Sequence, residues 1–327
     1  MLLWNALEIF LLAFIGLLLS VALATPAAAI ASKTRMPHWL ALGLVALALV
    51  AAILAGIWFA GEALVAQLVG LLQALPQILE RTQNFLQNIP GGTWLMDQVL
   101  ETDPTEVADI GMVTQVAEAL GGMIEILIRI VFVVFLALFL AAAPARYRAG
   151  IVSLFPPSAH ARAREVFAAL TVTIQGWILG QLASMLLVGI LATTGLLIIG
   201  VQYALILGLI AGLAELIPIF GPVFAYFPAV LVALAEGPQQ ALWVTGLYLV
   251  IQQLEGNAIQ PMVQRFAVDL PQALTVVAVL GGGVLFGPLG LFIGTPLVAI
   301  VLVLIKMLYV HDVHGQHVEL PGGGSEG

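Results

Sequence analysis

The sequence predicts an all-α integral membrane protein of about seven to eight hydrophobic helical segments, some of them broken or re-entrant hairpins. An external amphipathic helical hairpin completes it. Three observations carry this prediction. Only 9% of the residues are charged and 62% are hydrophobic, whereas a soluble domain keeps about a quarter of its residues charged. So few charges cannot coat a water-facing surface, and a lipid-facing surface needs none. The apolar runs are continuous over about 20 residues rather than alternating over about ten, which selects helices over barrel strands. Finally, cations and acids fall into separate loops.

The runs cover residues 9–30, 39–60, 124–143, 177–199, 204–235, 241–254, 273–286 and 289–308. The first lacks a basic leader and is too long for the apolar part of a secretory signal, so it is read as a mature span. Lys33, Arg35, Arg146, Arg148, Arg162, Arg164, Arg265 and Lys306 occupy short loops or run ends. The stretch 62–118 instead holds the eight acids Glu62, Glu80, Asp97, Glu101, Asp103, Glu106, Asp109 and Glu118 against Arg81 alone. Placing the cations inside puts this stretch, Met1 and the whole loop 62–121 outside, with the C-terminus cytoplasmic. A bacterial inner (cytoplasmic) membrane is the expected location.

That parity closes only if 204–235 enters and leaves on one side. One straight helix of that length would be roughly 48 Å, against a hydrocarbon core of about 30 Å. Pro218, Gly221, Pro222 and Pro228 break it near its middle, where prolines remove donors. Two short helices around an outward-opening tip are predicted, and a second pair turning at Phe286-Gly287-Pro288. Non-helical backbone at membrane depth survives where it lines a cavity, so interrupted helices point to a transport site; plain hairpin turns are the alternative.

The organisation expected is two transmembrane helices in 1–61, an extracytoplasmic helical hairpin in 62–121, and a transport core in 122–310 with a cytoplasmic loop at 144–166. Residues 311–327 read as a disordered cytoplasmic tail. Within the hairpin, Leu64, Leu68, Leu71, Leu72, Leu75, Ile78 and Leu79 fall at helical spacing. They extend the second helix until Pro76 is expected to interrupt it. A lone hairpin has no internal place for that face, so packing on other copies or on headgroups is expected. Asp103-Pro104-Thr105-Glu106 reads as a helix start.

Charge inside the apolar runs costs at least about 2.5–3.5 kcal/mol on insertion scales. Glu215 is the clearest case, and two readings stand for it: a proton or cation site, or a structural carboxyl bonded to backbone N–H groups freed at the break. With Pro218, Gly221 and Pro222 it forms the expected coupling region. Gln252, Gln253, Glu255, Asn257, Gln260 and Pro261 form a polar stretch that suits a water-filled path; a helix end already in water is the alternative. Glu125 and Arg129 are spaced for an i, i+4 ion pair. Gly287, Pro288, Gly290 and Pro296 are the expected hinge positions. Gly281-Gly282-Gly283 has no Lys-Ser/Thr after it, so it is no phosphate loop and suits close helix packing.

Cysteine is absent and the net charge is −8, which excludes thiolate chemistry and argues against nucleic acid. His311, His314 and His317 lack a carboxylate framework, so no metal and no cofactor is expected. The chain is expected not to be an enzyme, and without a nucleotide site its transport would be secondary.

The tract Glu215-Leu216-Ile217-Pro218-Ile219-Phe220-Gly221-Pro222 resembles the I-P-x-x-G-P signature of the autoinducer-2 exporter (AI-2E) family of permeases. Glu255-Gly256-Asn257-Ala258-Ile259-Gln260-Pro261 is similar to that family's G-N-x-x-x-P. Gly281 and Gly282, through Gly287-Pro288-Leu289-Gly290, to Thr295-Pro296-Leu297 resemble its ending. The resemblance implies a secondary permease for a small polar metabolite, with autoinducer-2 export tying it to quorum sensing. It equally implies sodium(lithium)/proton antiport on the same scaffold, and assembly into homo-oligomers, pentamers among them. Typical members carry one more apolar helix ahead of the equivalent of 9–30, and some hold Asn where Glu215 stands. A non-transporting membrane scaffold is the remaining alternative.

Overall fold

A computed structural model describes residues 2–87, 112–259 and 271–311. The predicted helix start at Asp103, together with Gln260, Pro261, Arg265, His314, His317 and most of the tail, lies outside the described residues. Among the described residues all regular structure is helical.

Helix α1 runs over Leu2–Thr34, α2 over His38–Gln87 and α3 over Met112–Ala142. A short α4, Pro144–Val152, follows α3 at a bend of 82°. Helix α5 spans His160–Ile199. The broken pair is α6, Ala204–Ala214, and α7, Phe220–Glu236. Helix α8, Pro238–Leu254, ends in a π-helical turn at Glu255–Ile259. The last segment, α9, covers Gln272–Leu304 and continues as π-helix to His311. Among the described residues four helices are long and apolar enough to cross a membrane, or up to five with the bent α3–α4 pair counted as one span.

Pro76 does not interrupt the second helix; α2 is continuous for 50 residues, with Pro76 inside it. It therefore passes residue 61 without a joint. Tertiary packing outweighs the lost backbone bond. Leu71 and Ile78 are buried against α6 and α7, and Leu64 and Ala74 lean on the same core. The apolar face of this extension thus finds much of its cover inside the chain, contrary to the expectation that it has none. Leu68, Leu72 and Leu75 remain exposed.

Helix α6 begins at Tyr203, which offers no side-chain cap. Its first N–H groups need an acceptor from elsewhere. Gln67 on α2 supplies it: its Oε1 accepts from the N–H groups of Leu205 and Ile206, both at 3.1 Å. At the same end the Glu236 carboxylate accepts from the Gln202 N–H at 2.9 Å. Gln67→Met keeps the volume and removes the acceptor, orphaning two amides. A loss of about 1–3 kcal/mol is expected, read as a lower unfolding midpoint of the purified chain in detergent; an unchanged midpoint would refute the capping role.

The opposite end gathers the cations. His38 Nε2 lies 2.9 Å from the Ala141 carbonyl, and Arg162 donates to the Met307 carbonyl at 2.8 Å. The ends of α1, α3 and α9 and the start of α5 therefore meet there, bringing Lys33, Arg35, Arg146, Arg148, Arg164 and Lys306 to one side. Arg129 pairs with Glu8 of α1 at 2.8 Å, a partner that local spacing had not shown; the Glu125 side chain lies outside the described set.

The run 272–304 is not one rod. Gly287 takes φ 67°, ψ −153°, a conformation open essentially to glycine alone. The chain folds back there. Gly290 meets Gly282, and Gly294 meets Ala278, backbone to backbone. This is the tight hairpin expected at Phe286-Gly287-Pro288. Pro296 is fully buried in the returning arm.

Candidate functional site

The site forms where the tip between α6 and α7 reaches α5 and the end of α8. Small residues set the register. A Cβ on Gly212 would lie 2.8 Å from the Met185 carbonyl and 3.1 Å from the Gly189 Cα, and one on Gly208 would lie 2.7 Å from the Thr193 Cα. Only glycines permit this approach of α6 to α5. The same antiparallel register, carried one turn further, sets Glu215 opposite Gln181 and Ser184. Helix α6 is 11 residues long, about 16 Å, roughly half the length needed to cross a ~30 Å hydrocarbon core.

Pro218 has no N–H to continue the ladder. The Ala214 carbonyl instead accepts from Ile217 N–H at 3.0 Å, and the Gln181 side-chain amide donates to the Glu215 carbonyl. Ile219 then adopts φ 72°, ψ −43°. For a β-branched residue this is a true outlier, with a cost of order 1–3 kcal/mol, of the kind that clusters at functional sites. Gly221 closes the tip. It donates to the Ile217 carbonyl at 2.8 Å, and a Cβ there would collide with the Ala214 carbonyl. Pro222 sits in the first turn of α7, where a missing N–H is tolerated.

Glu215 is 1% exposed and Glu255 is 8% exposed. Leu247 of α8 packs on Gly195 of α5; eight residues further along each helix, Glu255 arrives at the Ser184–Leu187 level. The two carboxyl groups lie beside one another there. Ser184 Oγ is 3.5 Å from Glu215 Oε1. Glu215 Oε2 is buried with no donor among the described residues, and Glu255 can be that donor only in its protonated form. The carboxyl of Glu215 therefore does not turn to backbone N–H groups freed at the break, which was the structural reading of this residue.

Beside the pair, Pro222, Tyr226, Thr245, Tyr248 and Gln252 line a cavity of about 250 Å³. The Tyr226 hydroxyl and Thr245 hydroxyl are 3.0 Å apart, and the buried Tyr248 hydroxyl has no partner among the described residues. A second, mainly apolar cavity of about 420 Å³ reaches from α1 to Gln181 and Leu216. Gln253 and Asn257 are exposed and bonded to each other, Asn257 Nδ2 donating to Gln253 Oε1 at 3.0 Å. Gly287, Pro288, Gly290 and Pro296 belong to the α9 hairpin rather than to the carboxyl pair. Local spacing had missed Ser184 and Tyr248; neither stands out in an apolar helix until its neighbours are known. Among the described residues no group of His, Asp and Glu could hold a metal ion.

The sequence profile described as AI-2E family transporter matches residues 1–309. YueF of Bacillus subtilis, a candidate transport protein, is 27% identical over 257 residues, 74% of this chain and 69% of its own length. The candidate permease PerM of Escherichia coli is 25% identical over 241 residues, 71% of this chain and 68% of its own. The candidate transport protein YdiK, also of Escherichia coli, is 35% identical over 125 residues, only 33% of its length. With apolar helices long enough to cross a membrane and a family profile matching almost end to end, this multi-pass chain belongs to the AI-2E family of transporters, a transport family rather than an enzyme class.

Proposed function

We propose that the chain is a secondary transporter that exports a small polar metabolite, coupled to a proton or monovalent cation held between Glu215 and Glu255. One observation carries this: two buried carboxyl groups face each other at the tip of a broken hairpin. Two negative charges so placed repel strongly in low dielectric, and a proton or cation between them relieves that repulsion. Occupancy of the pair then biases the strained tip at Ile219, which is how a small ion can favour one arrangement of the path over another. The cavity at Tyr226–Gln252 supplies hydroxyl and amide groups for the solute. The cation-rich end is cytoplasmic in this reading. The exposed Leu47, Ile57, Trp58 and Phe59 of α2 suit contact with lipid or with further copies in a homo-oligomer.

The carboxyl pair alone also favours sodium(lithium)/proton antiport. Proteoliposomes with an internal pH dye separate the two. Export predicts proton movement that requires an added polar metabolite; antiport predicts proton movement on a sodium or lithium pulse without one. Silence in both would overturn both readings. Tyr248→Phe is expected to raise KM for the solute about two- to tenfold, the worth of one hydrogen bond, with no loss of thermal stability because the removed hydroxyl has no partner among the described residues. An unchanged KM would take Tyr248 out of the solute path.

A further inference from the structure

Arg148 and Arg164 come from different helices, α4 and α5, yet converge on one pocket of about 370 Å³ with Ala145, Ala149 and Val152. Both are exposed, and neither has a hydrogen bond or ion pair among the described residues. The acid next to Arg164, Glu165, is taken by Arg162 at 2.7 Å. Two unneutralised guanidinium groups held in one pocket lack the counter-charge that such an arrangement calls for.

The surroundings say where the anion comes from. Helix α4 leaves the apolar helix α3 at 82°, so it lies along the membrane surface if α3 crosses it. Tyr147, Ile151, Leu154 and Phe155, around the pocket, are large and exposed, as on segments that sit in the headgroup–acyl boundary. Ala145 and Ala149 leave room between the arginines, and the buried Val152 packs below them. A planar guanidinium fork matches the oxygens of a phosphate.

We infer that this pocket binds the phosphate group of an anionic phospholipid, pinning α4 and the start of α5 to one leaflet. The inference is independent of the carboxyl pair and of any transported solute. It is tested on the full-length purified chain in detergent, with bound lipid counted by native mass spectrometry during titration with phosphatidylglycerol or phosphatidylcholine. Phosphatidylglycerol is expected to be retained over phosphatidylcholine. R148Q/R164Q is expected to lose about fivefold in phosphatidylglycerol affinity per arginine, roughly 30-fold together. R148K/R164K keeps the charge and should retain phosphatidylglycerol at least about fivefold better than the glutamine pair. Millimolar inorganic phosphate should not displace the lipid. Equal retention of both lipids by the native chain, equal retention by the native and glutamine chains, or no difference between the lysine and glutamine pairs would overturn the proposal. Displacement of the lipid by inorganic phosphate would overturn it too, by assigning the pocket to free phosphate.

Discussion

Glu215→Gln is expected to reduce gradient-driven transport on the order of 10- to 100-fold while leaving the protein as stable as before, or more so. Glutamine matches glutamate in shape but neither takes up nor releases a proton, so the pair loses its exchangeable site. The expected size is that of a typical coupling free energy between sites, about 1–3 kcal/mol. Stability moves the other way because one of two buried carboxyl groups that repel when ionised is gone. Glu255→Gln should behave alike, and the double variant should be little worse than either single one, since both remove the same exchange site. Ser184→Ala removes only a 3.5 Å contact and should cost less than about fivefold. The measurement is solute flux in proteoliposomes with and without an imposed pH gradient, beside the unfolding midpoint. A Glu215→Gln chain that transports normally would end the coupling role; one that loses stability would restore the structural reading.

The second large effect lies in the α9 hairpin. Gly290→Ala is expected to destabilise the protein by about 3 kcal/mol, at the upper end of overpacking costs, because the new Cβ collides with the Gly282 carbonyl, which is backbone and cannot rotate away. Gly281→Ala is the matched control. It lies in the same glycine run with nothing within 4 Å of its Cβ direction, so it should be neutral, or stabilising by up to about 1 kcal/mol from helix propensity. Fluorescence-detected size exclusion after heating would compare the two. Equal midpoints would mean that the close approach of the two arms is not what holds the hairpin together.

Much of this architecture was legible in the residues. The apolar runs, the break at Pro218–Pro222 and the turn at Gly287–Pro288 are local events. They depend on hydrophobic length and on missing donors, which neighbours cannot restore. Glu215 stood out because charge in an apolar run is rare and costly. The reading failed where packing outweighs propensity. Pro76 breaks nothing, because Leu71 and Ile78 on either side of it are buried against α6 and α7. The arginines of the α4 region were legible only as marks of sidedness; that two of them share a pocket depends on the bend between α3 and α4.

What the sequence by itself determined is therefore the membrane, the helices, the breaks and the family. Each follows from composition or from short motifs whose physics is local. What only the tertiary structure decided is which polar groups meet. Glu215 and Glu255 belong to separate motifs on separate helices. They come together because glycines on α5 and α6 let two backbones touch, and because Leu247 packs on Gly195 to set the position of α8. Register between helices is set by side-chain shape at distant contacts, and no periodicity along one helix records where its neighbour will stop.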